Sequence, residues 1–348
     1  MPLCSIFKIE ASNMVTIKYV AQHAGVSKAT VSRVLNGNLN VNAEMRQRVL
    51  ASIATLDYQP SALAGSLRRQ RTRAIGLVVP DNRNPFFAEL ARGIEARCDE
   101  AGYSVYLCNS ADSEQKEIDY CYKLYRQRVA GVAIAITGTS EQAIRYLQTN
   151  QMPIVLLDRG YPGVEADSVQ CDHYQGAYDA MDYLLGLGHR RFGLIIGLRH
   201  DPPVQDRLRA TFDILHKHGL DIDHQMIYET QNYGHEAGYT GAQHLLSIRQ
   251  RPTAIFAFND SMAVGALRYA LESGLRVPGD LSVIGVDNIP LSSFVYPSLT
   301  TVAQPMTEIG RAAADMLLAR IEGTPASYIR KHLPAQLIVR ESTGSPNG

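Results

Sequence analysis

From residue 74 onward the chain alternates short apolar runs with longer helical stretches, and this alternation constrains the fold more than any other feature. The runs cover 75–79, 104–108, 132–136, 154–157, 192–196, 254–258 and 282–286. Helical stretches lie between them, among them 86–101, 174–187, 261–273 and 307–321. Each run is bounded by Gly, Pro, Asp or Asn, which predicts strands buried on both faces of parallel sheets, with helices packed on either side. Roughly 270 residues of such units exceed one comfortable core, so two lobes are expected. No apolar stretch approaches the roughly 18 residues that a membrane-spanning helix needs. The first residues, with one Lys and an acidic Glu10, do not read as a secretory leader. Five cysteines without a C-x-x-C pair fit reduced thiols in a cytoplasmic protein better than disulfides or a zinc site.

The formal charge is zero, but it is unevenly placed. Residues 1–73 carry 10 Lys+Arg against 3 Asp+Glu, so the acidic excess falls on the rest of the chain. A small basic head on an acidic body suggests a polyanion partner for the head. Within it, Thr16 is expected to cap a first helix and Ser27 a second, with Gly25 supplying the positive φ of the turn between them. Ala21 is small where two helices cross, and Val20, Val31 and Leu35 are apolar. This is helix-turn-helix patterning. A third helix is expected over about 42–56, with Met45, Val49, Ile53 and Leu56 along one face. The second helix would enter the major groove with Lys28, Ala29, Ser32 and Arg33 outward, Arg33 able to pair with guanine and Ala29 with a thymine methyl. Arg68, Arg69, Arg71 and Arg73 then suit a phosphate-contacting linker.

Directly after the apolar runs stand polar side chains and two aromatics. They are Asn84-Pro-Phe86-Phe87, Asp158-Arg159, a loop leading to Arg207, Asn259-Asp260, Asp287 and Gln304. Ligands in parallel sheets bind at the carboxyl ends of strands. Asp and Arg suit adjacent hydroxyls and an aromatic suits the C–H face of a sugar ring. Asp260 is read as a helix cap. His23, His173 and His189 are read as surface or helix-end residues.

The words Val26-Ser-Lys-Ala-Thr-Val-Ser-Arg-Val-Leu-Asn-Gly37 and Ser61-Ala-Leu-Ala-Gly-Ser-Leu67 resemble the LacI family of bacterial transcriptional regulators. The resemblance continues to about residue 340, where Asn84-Pro-Phe-Phe87, Leu157-Asp-Arg159, Phe258-Asn-Asp260 and Val302-Ala-Gln304 are similar to words of ribose-type periplasmic sugar-binding proteins. It implies a DNA-facing set of Thr16, Lys28, Ala29, Thr30, Ser32, Arg33 and Asn36. It further implies a hinge helix formed on DNA, in which Leu67, with Ala64 beside it and Arg68 after it, wedges into the minor groove. It also implies that Asn84, Phe86, Phe87, Asp158, Arg159, Arg207, Asn259, Asp287 and Gln304 hold a monosaccharide. Two departures stand out: Tyr19 where the family is usually acidic, and Gly65 inside the hinge, where Gly costs about 1 kcal/mol against Ala. Around Arg207 the usual Gly-Phe is replaced by Ala210-Thr211.

Other classes find little support. There is no phosphate-loop Gly-Lys-Ser/Thr, the Gly186-Leu-Gly188 word lacks a third glycine, and neither H-E-x-x-H nor G-x-S-x-G occurs. His216 and His218 lie two apart on a helix, which is poor metal geometry. No catalytic residue, metal or cofactor is therefore expected. The expected layout is a disordered extension over 1–13, a helix-turn-helix domain over 14–60, a hinge and basic linker over 61–73, a two-lobed effector and dimerisation body over 74–340, and a tail over 341–348. The expected function is that of a cytoplasmic regulator, a repressor working as a homodimer or higher assembly on a near-palindromic double-stranded operator and controlled by a monosaccharide such as a pentose. A purine- or nucleoside-responsive regulator is the alternative, and a sugar-binding protein without a regulatory role a more distant one.

Overall fold

The computed structural model describes residues 15–35, 40–58, 72–136, 141–161, 163–323 and 327–347. The chain divides into two compact units, Met1–Thr72 and Arg73–Gly348.

In the first unit, helices α1 (Ile17–Ala24), α2 (Lys28–Leu35) and α3 (Ala43–Thr55) enclose a small core of Val20, Ala21, Ala24, Val31, Val34 and Val49. Gly25 ends α1 in the left-handed region at φ 61°, where Val26 N–H returns to Ala21 O at 3.0 Å. The space a Cβ would need there is taken by Arg48 Nη2, 2.8 Å away. That guanidinium donates to Ala24 O at 2.6 Å and Gly25 O at 2.9 Å, satisfying the carbonyls that α1 leaves open. Ser27 caps α2 as expected, accepting from Thr30 N–H at 3.1 Å. Thr16 stands at the cap of α1 but makes no side-chain cap bond, so the capping role expected of it is not seen. Met45, expected on the buried face of α3, is 43% exposed, because a three-helix unit this small leaves one end of that face uncovered. The expected hinge, with Ala64, Leu67 and Arg68, lies outside the described residues, as does Asn36.

The second unit holds two six-stranded sheets. The first is formed by β1 (Ala74–Val79), β2 (Ser104–Asn109), β3 (Gly131–Ile134), β4 (Ile154–Leu157), β5 (Asp167–Cys171) and β11 (Arg330–Leu333), in the order β11-β5-β4-β3-β1-β2. The second is formed by β6 (Phe192–Ile196), β7 (Ile227–Glu229), β8 (Ala254–Ala257), β9 (Ser282–Asp287), β10 (Thr300–Ala303) and β12 (Gln336–Ile338), in the order β12-β10-β9-β8-β6-β7. The recorded pairings are parallel except β10 with β12. Helices α4 (Pro85–Glu100), α5 (Glu114–Arg126), α6 (Gln142–Thr149) and α11 (Met306–Ile321) pack on the first sheet. Helices α7 (His173–Gly186), α8 (Pro202–Lys217), α9 (His235–Ser247) and α10 (Asp260–Glu272) belong to the second. The chain therefore crosses between lobes after β5, after β10 and after β11, and the carboxyl ends of the central strands flank the crossings.

Two expectations need correction here. Residues 341–344 are no tail: Ser342 and Thr343 are buried, and Val283 N–H donates to Ser342 O at 2.9 Å. His173 opens α7, in keeping with the helix-end half of its reading, but neither it nor His189 lies at the surface. Their exposures are 5% and 1%, and each is held by polar partners in the interior. Among the described residues no helix is long and apolar enough to cross a membrane.

Candidate effector cleft and DNA-facing helix

The cleft between the lobes has a volume of about 670 Å³, within the usual range of small-molecule sites. All nine residues expected to hold an effector line it: Asn84, Phe86, Phe87, Asp158, Arg159, Arg207, Asn259, Asp287 and Gln304. Topology brings them together: each ends or follows a strand or opens the next helix, except Arg207, which reaches in from the second turn of α8.

Asp158 follows β4 in the left-handed region, φ 64°, a conformation that costs energy for a non-glycine residue and turns its carboxylate out of the sheet. His173, at the start of α7, places Nε2 3.1 Å from Asp158 O and 3.4 Å from Oδ1. Arg207, on α8, donates from Nη2 to His173 Nδ1 at 3.2 Å and from Nη1 to Phe258 O at 2.8 Å. Since Nδ1 accepts from Arg207, the imidazole proton sits on Nε2 and points at Asp158. Burial alone would raise the pKa of Asp158, but contact with His173 and the charges of Arg207 and Arg159 outweigh it and hold the carboxyl below its ordinary value. Asp158 Oδ1 is buried, and His173 Nε2–H, whose shorter bond goes to Asp158 O, meets it only through the longer 3.4 Å contact.

Asp287 ends β9 at φ 120° and accepts from Gln304 Nε2 at 2.7 Å. That bond fixes the amide, leaving Gln304 Oε1 buried with no donor of its own. Burial pushes the Asp287 carboxyl up to about 7, against the opposing pull of Arg207 and Gln304. Its neighbour Asp260 does not cap α10. Asn259 does so, accepting from Met262 N–H at 2.7 Å while donating to Tyr233 O at 2.9 Å. Asp260 instead accepts from Thr301 Oγ1 at 2.5 Å and from Ile289 N–H at 2.9 Å, pinning the turn after β9. Burial, then the charge of Asp287, raise Asp260 well above the ordinary carboxylate range. Asn84 likewise caps α4, accepting from Phe86 N–H at 3.0 Å. Phe86 is buried in the first lobe's core and Phe87 is half-buried, their rings edge to face at 5.0 Å.

Arg159 lines the cleft with its guanidinium engaged within the protein. Its Nη1 lies 3.1 Å from Asp201 Oδ1, and its Nη2 donates to Ile136 O. Asp201 Oδ2 also accepts from the Tyr233 hydroxyl. Sequence reasoning missed Asp201, Tyr233 and His173. Asp201 stands just before Pro202-Pro203 and looks like an ordinary helix opening, and no local pattern reveals its partner in the other lobe. Among the described residues no group of three His, Cys, Asp or Glu side chains is arranged to hold a metal ion.

In the first unit, Lys28, Ala29 and Arg33 form an exposed face of α2 opposite buried Val31 and Val34, and Ser32 is half-buried beside them. Thr30 hydrogen-bonds Ser27 through its hydroxyl at 2.9 Å. Thr16 is exposed at the start of α1.

A basic helix-turn-helix unit joined to a two-lobed body with a polar interlobe cleft defines a DNA-binding transcriptional regulator. Residues 16–61 match the bacterial regulatory proteins of the lacI family, and residues 181–343 match the periplasmic binding protein-like domain. The transcriptional repressor PurR of Photobacterium profundum is 33% identical over 335 residues, covering 96% of this chain and 100% of the relative. This chain belongs to the LacI family. Two solved structures are similar. The lac repressor dimer bound to operator and the anti-inducer ONPF has TM-score 0.85 and 29% identity over 95% of this chain and 99% of that one. A LacI family regulator from Enterococcus faecium with bound ribose has TM-score 0.71 and 33% identity over 78% of this chain and 99% of that one.

Proposed function

We propose that this regulator reads a near-palindromic double-stranded operator as a homodimer and that a monosaccharide, a pentose first, enters the interlobe cleft and controls that binding. The observation that carries the effector reading is the pair of buried acceptors in one cleft, Gln304 Oε1 without a donor and Asp158 Oδ1 met only by the long contact from His173 Nε2. Buried acceptors are normally satisfied, and the hydroxyls of a sugar supply donors. The ribose-bound relative supports a pentose. The dimer reading draws support from exposed apolar side chains on the body, with Phe294 and Tyr296 84% and 85% exposed and Tyr106 and Leu107 on the edge strand β2. For DNA, Arg33, Lys28, Ala29 and Ser32 contact base edges, while Thr16, Thr30, Asn36 and Arg68 hold phosphates and Ala64 and Leu67 open the minor groove.

A second reading rests on Phe87, whose half-buried ring in the cleft wall offers a face on which a purine base would stack. Calorimetry with ribose, other aldoses and adenine separates the two, followed by operator binding with the ligand that responds. Binding of adenine and of no aldose would replace the first reading by the second.

A further inference from the structure

The cleft is unbalanced in charge and in hydrogen-bonding capacity. Among the described residues it is lined by seven carboxylates against three guanidiniums. Asp81, Asp112 and Glu114 come from the first lobe, Asp201 and Glu236 from the second, and Asp158 and Asp287 from the strand ends. Each guanidinium is already engaged within the protein. Arg83 pairs with Asp81 at 2.9 Å, Arg159 with Asp201 at 3.1 Å, and Arg207 with Phe258 O and His173. Among the described residues lining the cleft, the two under-satisfied buried polar atoms, Asp158 Oδ1 with only the long His173 contact and Gln304 Oε1 with none, are both acceptors, and Gln304 is only 6% exposed. Asp112 has its pKa raised by burial and then by the charge of Asp81, so negative charge already crowds that wall.

We propose that the cleft selects an uncharged or cationic ligand that donates hydrogen bonds to Asp158 and Gln304, and that it rejects phosphorylated and carboxylated ligands. This rests on the reading of the cleft as an effector site and narrows its chemistry. An anion would face an excess of carboxylates in a partly desolvated space, with no guanidinium released to meet it. A hydroxyl or ammonium satisfies the open acceptors directly. Asp201 is the group that keeps Arg159 from serving as an anion anchor.

The test is calorimetry on the full chain with matched pairs: ribose and ribose 5-phosphate, glucose and gluconate, adenosine and adenosine monophosphate, with glucosamine added. In any pair that binds, the uncharged member should bind and its anionic partner should be weaker by at least about tenfold. Glucosamine should bind no more weakly than glucose. An anionic member that binds as tightly as its parent would overturn the proposal while leaving the sugar reading intact. A response from the adenosine pair alone, with the uncharged member favoured, would uphold it and remove the sugar reading. Asp201→Ala supplies an independent arm. Freed from its carboxylate, Arg159 should raise affinity for ribose 5-phosphate by about tenfold. Unchanged anion affinity in that variant would reject the role given to Asp201.

Discussion

Arg159 and Asp201, 42 positions apart and contributed by different lobes, meet across the cleft with Nη1 and Oδ1 3.1 Å apart. Side-chain exposures of 10% and 19% make this a largely desolvated pair, and the Tyr233 hydroxyl braces the same carboxylate. Removing the carboxylate leaves a guanidinium under-satisfied between the lobes. Asp201→Asn should therefore weaken lobe closure by about 1–3 kcal/mol. Small-angle scattering of the ligand-free protein should show a larger radius of gyration for the variant, and saturating effector should restore the compact value. An identical radius in both proteins would mean that the pair does not hold the lobes together.

That pair also marks where sequence reading ends. The strands at 154–157 and 192–196 are found to the residue, because their apolar runs and flanking breakers are local signals. The cleft residues were legible for a related reason: topology gathers strand ends, even though Asn84 and Asn259 also cap the helices that follow. Missed strands had no such signal. In β5, Asp-Ser-Val-Gln-Cys reads as a loop, yet Asp167 is buried because Arg320 reaches it at 2.7 Å from 153 positions away. β11 is mostly exposed, an edge strand without an apolar run. Asp260 was assigned to a cap for its position beside Asn259, whereas its bonds to Thr301 and Ile289 depend on the neighbouring strand. Long-range polar pairing is a property of the fold, and one chain's local pattern does not encode it.

Asp287 should make stability fall with rising pH. Its carboxyl is pushed up to about 7 in the folded protein, above the ordinary carboxylate value. A raised folded pKa means that the folded state holds the proton more tightly than the unfolded chain does. The resulting stability is complete below the unfolded value, about pH 4, and is lost as pH rises through about 7. Urea unfolding of the ligand-free protein at pH 5 and pH 8 should differ by roughly 1–3 kcal/mol more than for Asp287→Asn. Equal pH dependence in the two proteins would show that Asp287 titrates normally. Because a donating ligand prefers the ionised acceptor, effector affinity should rise between pH 6 and pH 8.

Residues 341–344 should be indispensable to the second lobe. Thr300 N–H donates to Ser342 Oγ at 2.8 Å, Val283 N–H to Ser342 O at 2.9 Å, and His189 Nε2 contacts Gly344 O at 2.9 Å. Ending the chain at residue 340 orphans the Thr300 and Val283 N–H groups, each costing about 1–3 kcal/mol, and leaves His189 Nε2 with Ser282 Oγ alone. The expected outcome is a clear loss in melting temperature and in urea midpoint. A truncated protein as stable as the full chain would show that water replaces these bonds at no cost.

Arg33 and Arg48 should both matter for operator binding, but for different reasons. Arg33 lies on the exposed face of α2, and its removal should leave the helix-turn-helix unit folded. Arg33→Ala should cost about 1–3 kcal/mol of operator affinity and relax base preference at one position per half-site. Arg48 is exposed but folds back on the chain, its guanidinium closing α1 at Ala24 and Gly25. Arg48→Ala leaves those carbonyls to water and loosens the turn, so DNA affinity should fall for all sequences alike, together with the melting of residues 15–58. Fluorescence anisotropy with operator and scrambled duplexes, beside circular dichroism of each variant, distinguishes the two. A loss shared equally by both duplexes in Arg33→Ala would make that residue a phosphate contact, and unchanged melting in Arg48→Ala would deny its structural role.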